Sequence, residues 1–331
     1  MPTEHDKRPA KPVSAARSAA YVVVAVTAGF AFPLQSRANG SLSDQIGSPI
    51  VAAVISFLGG LILLLAATLT VPSLRAALRR LVAAIRQRRC PPWYLLAGVF
   101  GAYLVFAQST AVPVIGVALL TVAIIAGQTT SGLIVDRIGF GSGTPQRLTA
   151  GRILGVILTV VAVIWSVSDS LATEFTWMIV LAFALPLLAG IGSSFQQAMN
   201  GALTRESGNP FAATVMNFTT GTLTLVVVAA IELSVGATAV SGGHVQWWML
   251  TGGPLGIVYI AASAFLVPRI GVLLVTVAMV TGQLCGSLGL DLVFPTGTDG
   301  VSLSTLGSLT LTLVAVAVTS GLFRRRYRGA R

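Results

Sequence analysis

A stretch that occurs twice decides the fold: it reads GFAFPLQSRANGSL at residues 29–42 and GIGSSFQQAMNGAL at residues 190–203. The Gly, Gln, Asn-Gly and Leu positions of the two copies coincide at a constant offset of 161 residues. The same register continues without a gap through Pro49/Pro210, Ala52/Ala213, Phe57/Phe218 and Gly60/Gly221. Matches spread over this length predict that the chain contains two copies of one structural unit.

A second block of the chain also repeats, at an offset of 155 residues. Its paired positions are Gly101/Gly256, Pro113/Pro268, Gly116/Gly271, Thr121/Thr276, Gly127-Gln128/Gly282-Gln283 and Asp136/Asp291. This doubled pattern is the most specific signal in the sequence.

The composition indicates a membrane protein. Of the 331 residues, 54% are hydrophobic and only 9% are charged, whereas a soluble domain carries about 25% charged residues. A helix that spans a bilayer needs about 20 mostly apolar residues. Ten such stretches lie near 20–38, 50–71, 93–111, 114–134, 152–168, 176–195, 211–231, 247–267, 270–290 and 303–323.

Each copy of the repeat contains five of these spans. Because five is odd, the second copy enters the membrane from the opposite side. The sequence therefore predicts an all-α integral membrane protein of about ten helices, built as two inverted five-helix repeats. The predicted segments are a basic tail (1–19), a first repeat (20–168) with a basic loop (72–92), a second repeat (176–323) and a basic tail (324–331).

The basic residues set the predicted orientation. With the N-terminus in the cytoplasm, 20 of the 21 Lys and Arg residues lie at the cytoplasmic side and only Arg37 lies outside. Such a bias predicts that both termini are cytoplasmic. The arginines of loop 72–92 are expected to anchor this topology and to contact anionic lipids. Their placement gives no indication of nucleic-acid binding.

Polar side chains inside a span are costly unless they pair with one another or line a water-filled path. In this chain they are Gln35, Asn39, Ser56, Gln108, Gln128, Gln196, Gln197, Asn200, Asn217 and Gln283. Residues four apart share a helix face, as in the pairs Gln35/Asn39 and Gln196/Asn200. The span directions predict an outer layer (Gln35, Asn39, Gln283) and an inner layer (Gln196, Asn200, Gln128).

The two layers, together with Ser56 and Asn217, are candidates for substrate binding or gating. The alternative is that these side chains hold the helices together through hydrogen bonds, each worth roughly 0.6–2 kcal/mol. A structure in which the layers point at lipid would exclude the first interpretation.

Ionisable residues avoid the middle of every predicted span. Asp136 and Asp291, which are equivalent in the repeat, are predicted to be solvated helix-end carboxylates rather than proton carriers, and Asp136 to pair with Arg137. Arg37 is predicted either to reach the outer headgroups or to present a cation to an anionic substrate at the outer mouth.

Catalytic chemistry finds no support in the sequence. Two Cys and two His are too few for a disulfide framework or a metal site. The spans contain no His, no carboxylate pair and no activated nucleophile, and the chain lacks a phosphate-binding P-loop. We therefore expect no metal, no cofactor and no enzymatic activity.

The paired GxxxxxQxxxNGxL motifs, with the Gly127-Gln128 and Gly282-Gln283 elements, resemble the YdcZ-type branch of the drug/metabolite transporter superfamily. The resemblance covers about residues 18–323 and is to the fused ten-helix form. It implies a bacterial inner-membrane location, an inverted-repeat fold and the export of small metabolites. Small multidrug members of the superfamily use a glutamate in their first helix. Span 20–38 has no acidic residue, which argues against multidrug cation export and proton antiport.

The favoured functional hypothesis is a secondary-type transporter. It would move a small neutral or weakly polar metabolite or drug by alternating access around a site at the midplane. A non-transporting scaffold or partner subunit is the alternative, and a channel is the third option. The expected partners are the substrate and the anionic lipids of the cytoplasmic face, and a homodimer is left open.

Overall fold

The computed structural model describes residues 15–141, 145, 148–173, 176–236, 240, 243–270, 272–295 and 302–319, and all regular structure within them is helical. The α-helices are α1 (Ala15–Gly29), α2 (Ala31–Ile46), α3 (Pro49–Thr70), α4 (Pro72–Arg86), α5 (Ala97–Ile138), α6 (Ala150–Thr173), α7 (Trp177–Ser207), α8 (Pro210–Ser234), α9 (Gly252–Ile270), α10 (Val272–Val293) and α11 (Leu303–Thr319). Most of the predicted tail 1–19 and all of 324–331 lie outside the described residues.

The described helices supply ten spans, as the hydropathy pattern predicts. Six segments are long and apolar enough to cross a membrane: Ala19–Ile46, Pro49–Thr70, Pro92–Ile138, Trp177–Ser207, Pro210–Ser234 and Val275–Val293. Pro92–Ile138 folds back on itself and counts twice. The shorter apolar helices Ala150–Ser166 and Leu303–Val318, with α9, complete the set.

The reversal within α5 occurs at a single residue, Gly116. The backbone there has φ 74° and ψ 175°, a conformation that is essentially restricted to glycine. It separates two antiparallel arms, 97–115 and 117–138. As a result, the Phe140 ring, just beyond the second arm, lies 5.5 Å from the Trp93 ring that precedes the first.

The inverted repeat is visible where α3 crosses α8. The equivalent rings of Phe57 and Phe218 are 5.0 Å apart, and each lies over a glycine of the other helix. A Cβ atom added at Gly60 would lie 2.2 Å from the Phe218 ring, and one added at Gly221 would lie 2.2 Å from the Phe57 ring. Such reciprocal contacts are expected when a pseudo-two-fold axis relates the two halves.

A second set of glycines interlocks the halves in the same reciprocal way. A Cβ atom at Gly282 would lie 3.0 Å from the Gly29 Cα, and one at Gly127 would lie 3.0 Å from the Gly190 Cα. Each contact joins one half to the other, because α1 packs on α10 and the second arm of α5 packs on α7. Small residues allow backbones to approach this closely in membrane helices.

Two helices run well beyond their predicted ends. α2 ends at Ile46 rather than near residue 38, and α7 ends at Ser207 rather than near residue 195. Most residues of α2 are buried, so its polar side chains pack inside the protein instead of ending the helix. Ser48 and Asn209 then cap α3 and α8 at equivalent positions of the repeat, through their side-chain oxygens.

Basic loop 72–92 contains the amphipathic helix α4. Its apolar face packs on the turn between α7 and α8, where Leu81 contacts a cluster that includes Leu203 and Ala213. The Arg80 Nε donates a hydrogen bond of 2.8 Å to the Ser207 carbonyl oxygen. The loop is therefore ordered against the second half of the chain.

Candidate functional site

The outer layer has a hydrogen bond between two amides at its centre. Asn39 Nδ2, on α2, donates to Gln108 Oε1, on the first arm of α5, across 2.9 Å. Both side chains have no exposed surface. The sequence identifies Gln108 as a polar residue inside a span but assigns it to neither layer, because its depth alone does not reveal the direction in which it points.

Two glycines of α9 hold the outer layer against the second half of the chain. A Cβ atom at Gly252 would lie 2.1 Å from Asn39 Oδ1 and 2.6 Å from Ser56 Oγ. One turn further along α9, a Cβ atom at Gly256 would lie 3.3 Å from Gln35 Nε2. The i, i+4 spacing of Gln35 and Asn39 therefore matches that of the two glycines, and the layer faces protein rather than lipid.

Gln283 reaches the same region from α10. Its Nε2 donates a hydrogen bond of 2.6 Å to the hydroxyl of Tyr259, whose ring lies 5.9 Å from that of Phe32 on α2. Sequence reasoning missed Tyr259. Its only sequence signal is a hydroxyl inside an apolar span, which by itself does not distinguish an interfacial tyrosine from a buried one.

The inner layer repeats this arrangement on the first arm of α5. A Cβ atom at Gly101 would lie 2.6 Å from Gln196 Nε2 and 2.9 Å from Asn217 Oδ1. Gly101 is the counterpart of Gly256, and Gln196 that of Gln35, so the two contacts are equivalent. Gln128 lies on the second arm of α5, and its backbone oxygen accepts a bond of 2.9 Å from Ser194 Oγ.

Several polar atoms in the two layers and beside them are buried without a hydrogen-bond partner among the described residues. They are Asn39 Oδ1, Ser56 Oγ, Gln108 Nε2, Asn200 Oδ1 and Asn217 Nδ2. An unsatisfied buried group costs about 1–3 kcal/mol. The set contains donors and acceptors but no charged group, so the chemistry that it offers to a ligand is that of neutral hydrogen bonding.

Equivalent residues of the two layers differ in accessibility. The outer members Gln35, Asn39 and Gln283 have 8%, 0% and 4% of their surface exposed. The inner counterparts Gln196, Asn200 and Gln128 are all partly accessible. The same motif is thus more deeply buried in one half of the chain than in the other.

Asp291, at the end of α10, bonds to the hairpin of α5. Its carboxylate accepts hydrogen bonds from the backbone amides of Val117 (3.1 Å) and Ala118 (2.7 Å), which begin the second arm of α5. A carboxylate is favoured at such a helix start. The side chain is only 8% exposed, so the prediction of a solvated carboxylate is wrong for Asp291. Span-end position predicts solvation only if no other helix covers the residue.

Arg37 lies close to Asp291. Its guanidinium carbon is 5.8 Å from the centre of the Phe294 ring, and it interacts electrostatically with Asp291. Both predicted roles, reaching the outer headgroups and presenting a cation at the outer mouth, stay open, because the side chain is partly accessible.

Asp136, the counterpart of Asp291, has a different environment. It forms an ion pair of 3.0 Å with Arg152 of α6, and 46% of its side chain is exposed. The predicted partner Arg137 is therefore replaced by a residue of the next helix, which the sequence places at the same membrane surface. Among the described residues, no group of three or more His, Cys, Asp or Glu is placed to hold a metal ion.

The reciprocal contacts define the class of this protein, an integral membrane protein with ten spans formed by two inverted halves. The chain belongs to the family described as "Putative inner membrane exporter, YdcZ", whose sequence profile matches residues 20–165 and again residues 181–319. It is accordingly a multi-pass inner-membrane protein of the drug/metabolite transporter superfamily.

The chain is similar to known proteins in sequence and in fold. "Inner membrane protein YdcZ" of Escherichia coli (strain K12) is 27% identical over 136 residues, which are 41% of this chain and 87% of that protein. The relative thus corresponds in length to one half. A crystal structure with 16% sequence identity superposes with a TM-score of 0.54, covering 94% of this chain and 100% of the other. At that identity the likeness shows the fold alone.

Proposed function

We propose that the chain is a secondary-type transporter that exports a small neutral or weakly polar metabolite or drug by alternating access. The observation that carries the proposal is the unequal accessibility of the two equivalent layers. A carrier opens its central site to one side at a time, and inverted repeats achieve this by exchanging conformations. Sealed outer residues and accessible inner counterparts are the pattern expected of a cytoplasm-open state.

The polar atoms without partners support a binding or gating role for the layers. Asn39 Oδ1 and Gln108 Nε2 are fully buried when the outer layer is closed, so each lacks the hydrogen bond that water would supply. Opening the layer to water or substrate would recover that energy. The neutrality of these groups favours a neutral substrate, because an unpaired charge inside the bundle would have no counter-ion there.

The hydrogen bonds of Asp291 support a closed state of the outer side. Its two backbone hydrogen bonds join α10, from the second half, to the hairpin of α5, from the first half. We propose that these bonds hold the outer side shut and break when the carrier opens outward. Both termini would be cytoplasmic, and the chain would have no enzymatic activity.

A non-transporting scaffold is the second candidate, and the burial of the outer layer favours it. Asn39 and Gln108 bond to each other with no exposed surface, as expected of residues that only hold helices together. A scaffold would keep its outer layer closed in every state, whereas a carrier would not.

A thermal-shift screen of the detergent-purified protein against a metabolite and drug library tests the transporter proposal. A ligand at about 100 times its dissociation constant stabilises the fold by about 2.7 kcal/mol. We expect a stabilising compound whose effect is lost in Gln196→Ala and retained in Gln197→Ala, which alters the exposed neighbour. A library without any stabilising compound would favour the scaffold.

A further inference from the structure

The helix α4 carries a row of arginines that the packing of the protein does not use. Arg75, Arg79 and Arg86 follow one another at spacings of four and seven residues, so they share one face of the helix. All three are exposed. None has a hydrogen bond or an ion pair with another described residue. The row extends over roughly 16 Å of helix.

The opposite face of α4 provides the attachment to the bundle. Leu74 and Ala77 pack against Ala212 of α8, and Arg80 donates its hydrogen bond to Ser207. Just after the helix, Arg89 forms an ion pair of 3.3 Å with Glu206. Two arginines of the loop are therefore engaged in docking, and the row of three is free for an external anion.

The depth of α4 points to the anion. The helix follows the end of the α3 span directly and is linked by a short segment to Trp93, whose side chain is 48% exposed. Exposed tryptophans of membrane proteins lie at the headgroup level. Because they follow the end of the α3 span, Arg75, Arg79 and Arg86 are expected at the level of the headgroup phosphates, on the side predicted to be cytoplasmic, which carries anionic lipids.

The repeat indicates that α4 is an addition rather than a requirement of the fold. In the second half, α8 and α9 are joined by residues 235–246, which contain no Lys or Arg. The basic segment 72–92 therefore has no counterpart in the sequence of the second half. The extra element in the first half has the charge, exposure and depth of a site for lipid headgroups.

We propose that Arg75, Arg79 and Arg86 form a binding site for the phosphate groups of anionic phospholipids in the cytoplasmic leaflet. Guanidinium groups suit phosphate because they donate paired hydrogen bonds to its oxygens. The site does not depend on the proposed transport activity, since a scaffold with the same fold would possess it as well.

The test is a titration of the purified full chain with phosphatidylglycerol and, separately, with phosphatidylcholine, read out by thermal shift and by native mass spectrometry. Phosphatidylglycerol should bind and stabilise the wild-type protein more than phosphatidylcholine. The triple variant Arg75→Gln/Arg79→Gln/Arg86→Gln should bind it roughly a hundredfold more weakly, since each basic residue near an anionic surface strengthens binding by about fivefold.

The control removes three arginines at the other predicted cytoplasmic cluster, Arg324→Gln/Arg325→Gln/Arg326→Gln, and should weaken phosphatidylglycerol binding less than the α4 variant does. If the α4 variant fails to fold, Arg75→Lys/Arg79→Lys/Arg86→Lys keeps the charge and should show intermediate binding. Equal lipid binding by the wild type and the α4 glutamine variant would overturn the proposal. If inorganic phosphate stabilises the protein as much as phosphatidylglycerol does, the ligand is free phosphate and not a lipid.

Discussion

The carboxylates of Asp291 and Asp136 occupy equivalent positions of the repeat but different environments. Asp291 is buried and accepts two backbone hydrogen bonds, whereas Asp136 forms a partly solvated ion pair. A solvated ion pair contributes little to stability, about 0–1 kcal/mol. Loss of hydrogen bonds to a buried charged group costs more, about 1–3 kcal/mol.

The pair provides a matched prediction. Asp291→Asn should destabilise the closed outer side by about 1–3 kcal/mol. The neutral side chain attracts the positive helix start less strongly, and its amide nitrogen cannot accept the second backbone hydrogen bond. Asp136→Asn should change stability by less than about 1 kcal/mol. Thermal unfolding in one detergent compares the two variants directly. Equal effects would contradict the assignment of Asp291 as the closure.

For individual residues, the sequence predicts which side chains form the two layers better than it predicts their hydrogen-bond partners. Spacing of four residues correctly places Gln35 and Asn39 on one helix face, against the glycines of α9. Hydropathy does not show that Asn39 bonds to Gln108, or Gln283 to Tyr259. Those pairs depend on how each helix is rotated about its axis, which only the packing of neighbouring helices determines.

Between helices, the close crossing of α3 and α8 can be tested by substituting two neighbouring glycines of α3. A Cβ atom at Gly60 would lie 2.2 Å from the Phe218 ring, while one at Gly59 would meet nothing within 4 Å. Gly60→Ala should therefore cost about 1–3 kcal/mol through overpacking. Gly59→Ala should be neutral or stabilise the helix by up to about 1 kcal/mol. Circular dichroism during heating measures both changes. An unchanged midpoint for Gly60→Ala would contradict the crossing.

Helix boundaries could be predicted only where polarity changes at the membrane surface. α3 ends at Thr70, as its hydropathy indicates, because charged and lipid-exposed segments meet there. α2 and α7 continue past the predicted ends because their polar residues are covered by other helices. The reversal between the spans 93–111 and 114–134 is predicted, but at residues 112–113 beside Pro113, whereas the structure turns at Gly116. A proline marks the interruption of the apolar run but not the residue at which the backbone turns.

For the whole molecule, the inverted repeat followed from the odd number of spans in each copy, and the reciprocal contacts of Phe57 and Phe218 confirm the architecture. The orientation in the membrane is a prediction that reporter fusions test. Alkaline phosphatase, which is active only outside the cytoplasm, should be inactive when fused after Arg331 and active when fused after Gly236. The opposite pattern would contradict cytoplasmic termini.

Alternating access requires that the two layers open in turn, and single cysteines can report this. The native cysteines are first replaced. Cys285 is exposed, and burial and the neighbouring Glu206 carboxylate raise the pKa of the Cys90 thiol, which keeps it protonated and slow to react. Gln35→Cys and Gln196→Cys are then introduced separately, with and without Asp291→Asn.

Labelling by a membrane-impermeant maleimide in oriented vesicles is the most direct test of the transporter account. Gln196→Cys should react from the cytoplasmic side while Gln35→Cys is protected from the outer side, and Asp291→Asn should raise the reactivity of Gln35→Cys and lower that of Gln196→Cys. If Asp291→Asn exposes Gln35→Cys without protecting Gln196→Cys, or if each single-cysteine protein is fully labelled without Asp291→Asn, the two layers do not alternate and the account is wrong.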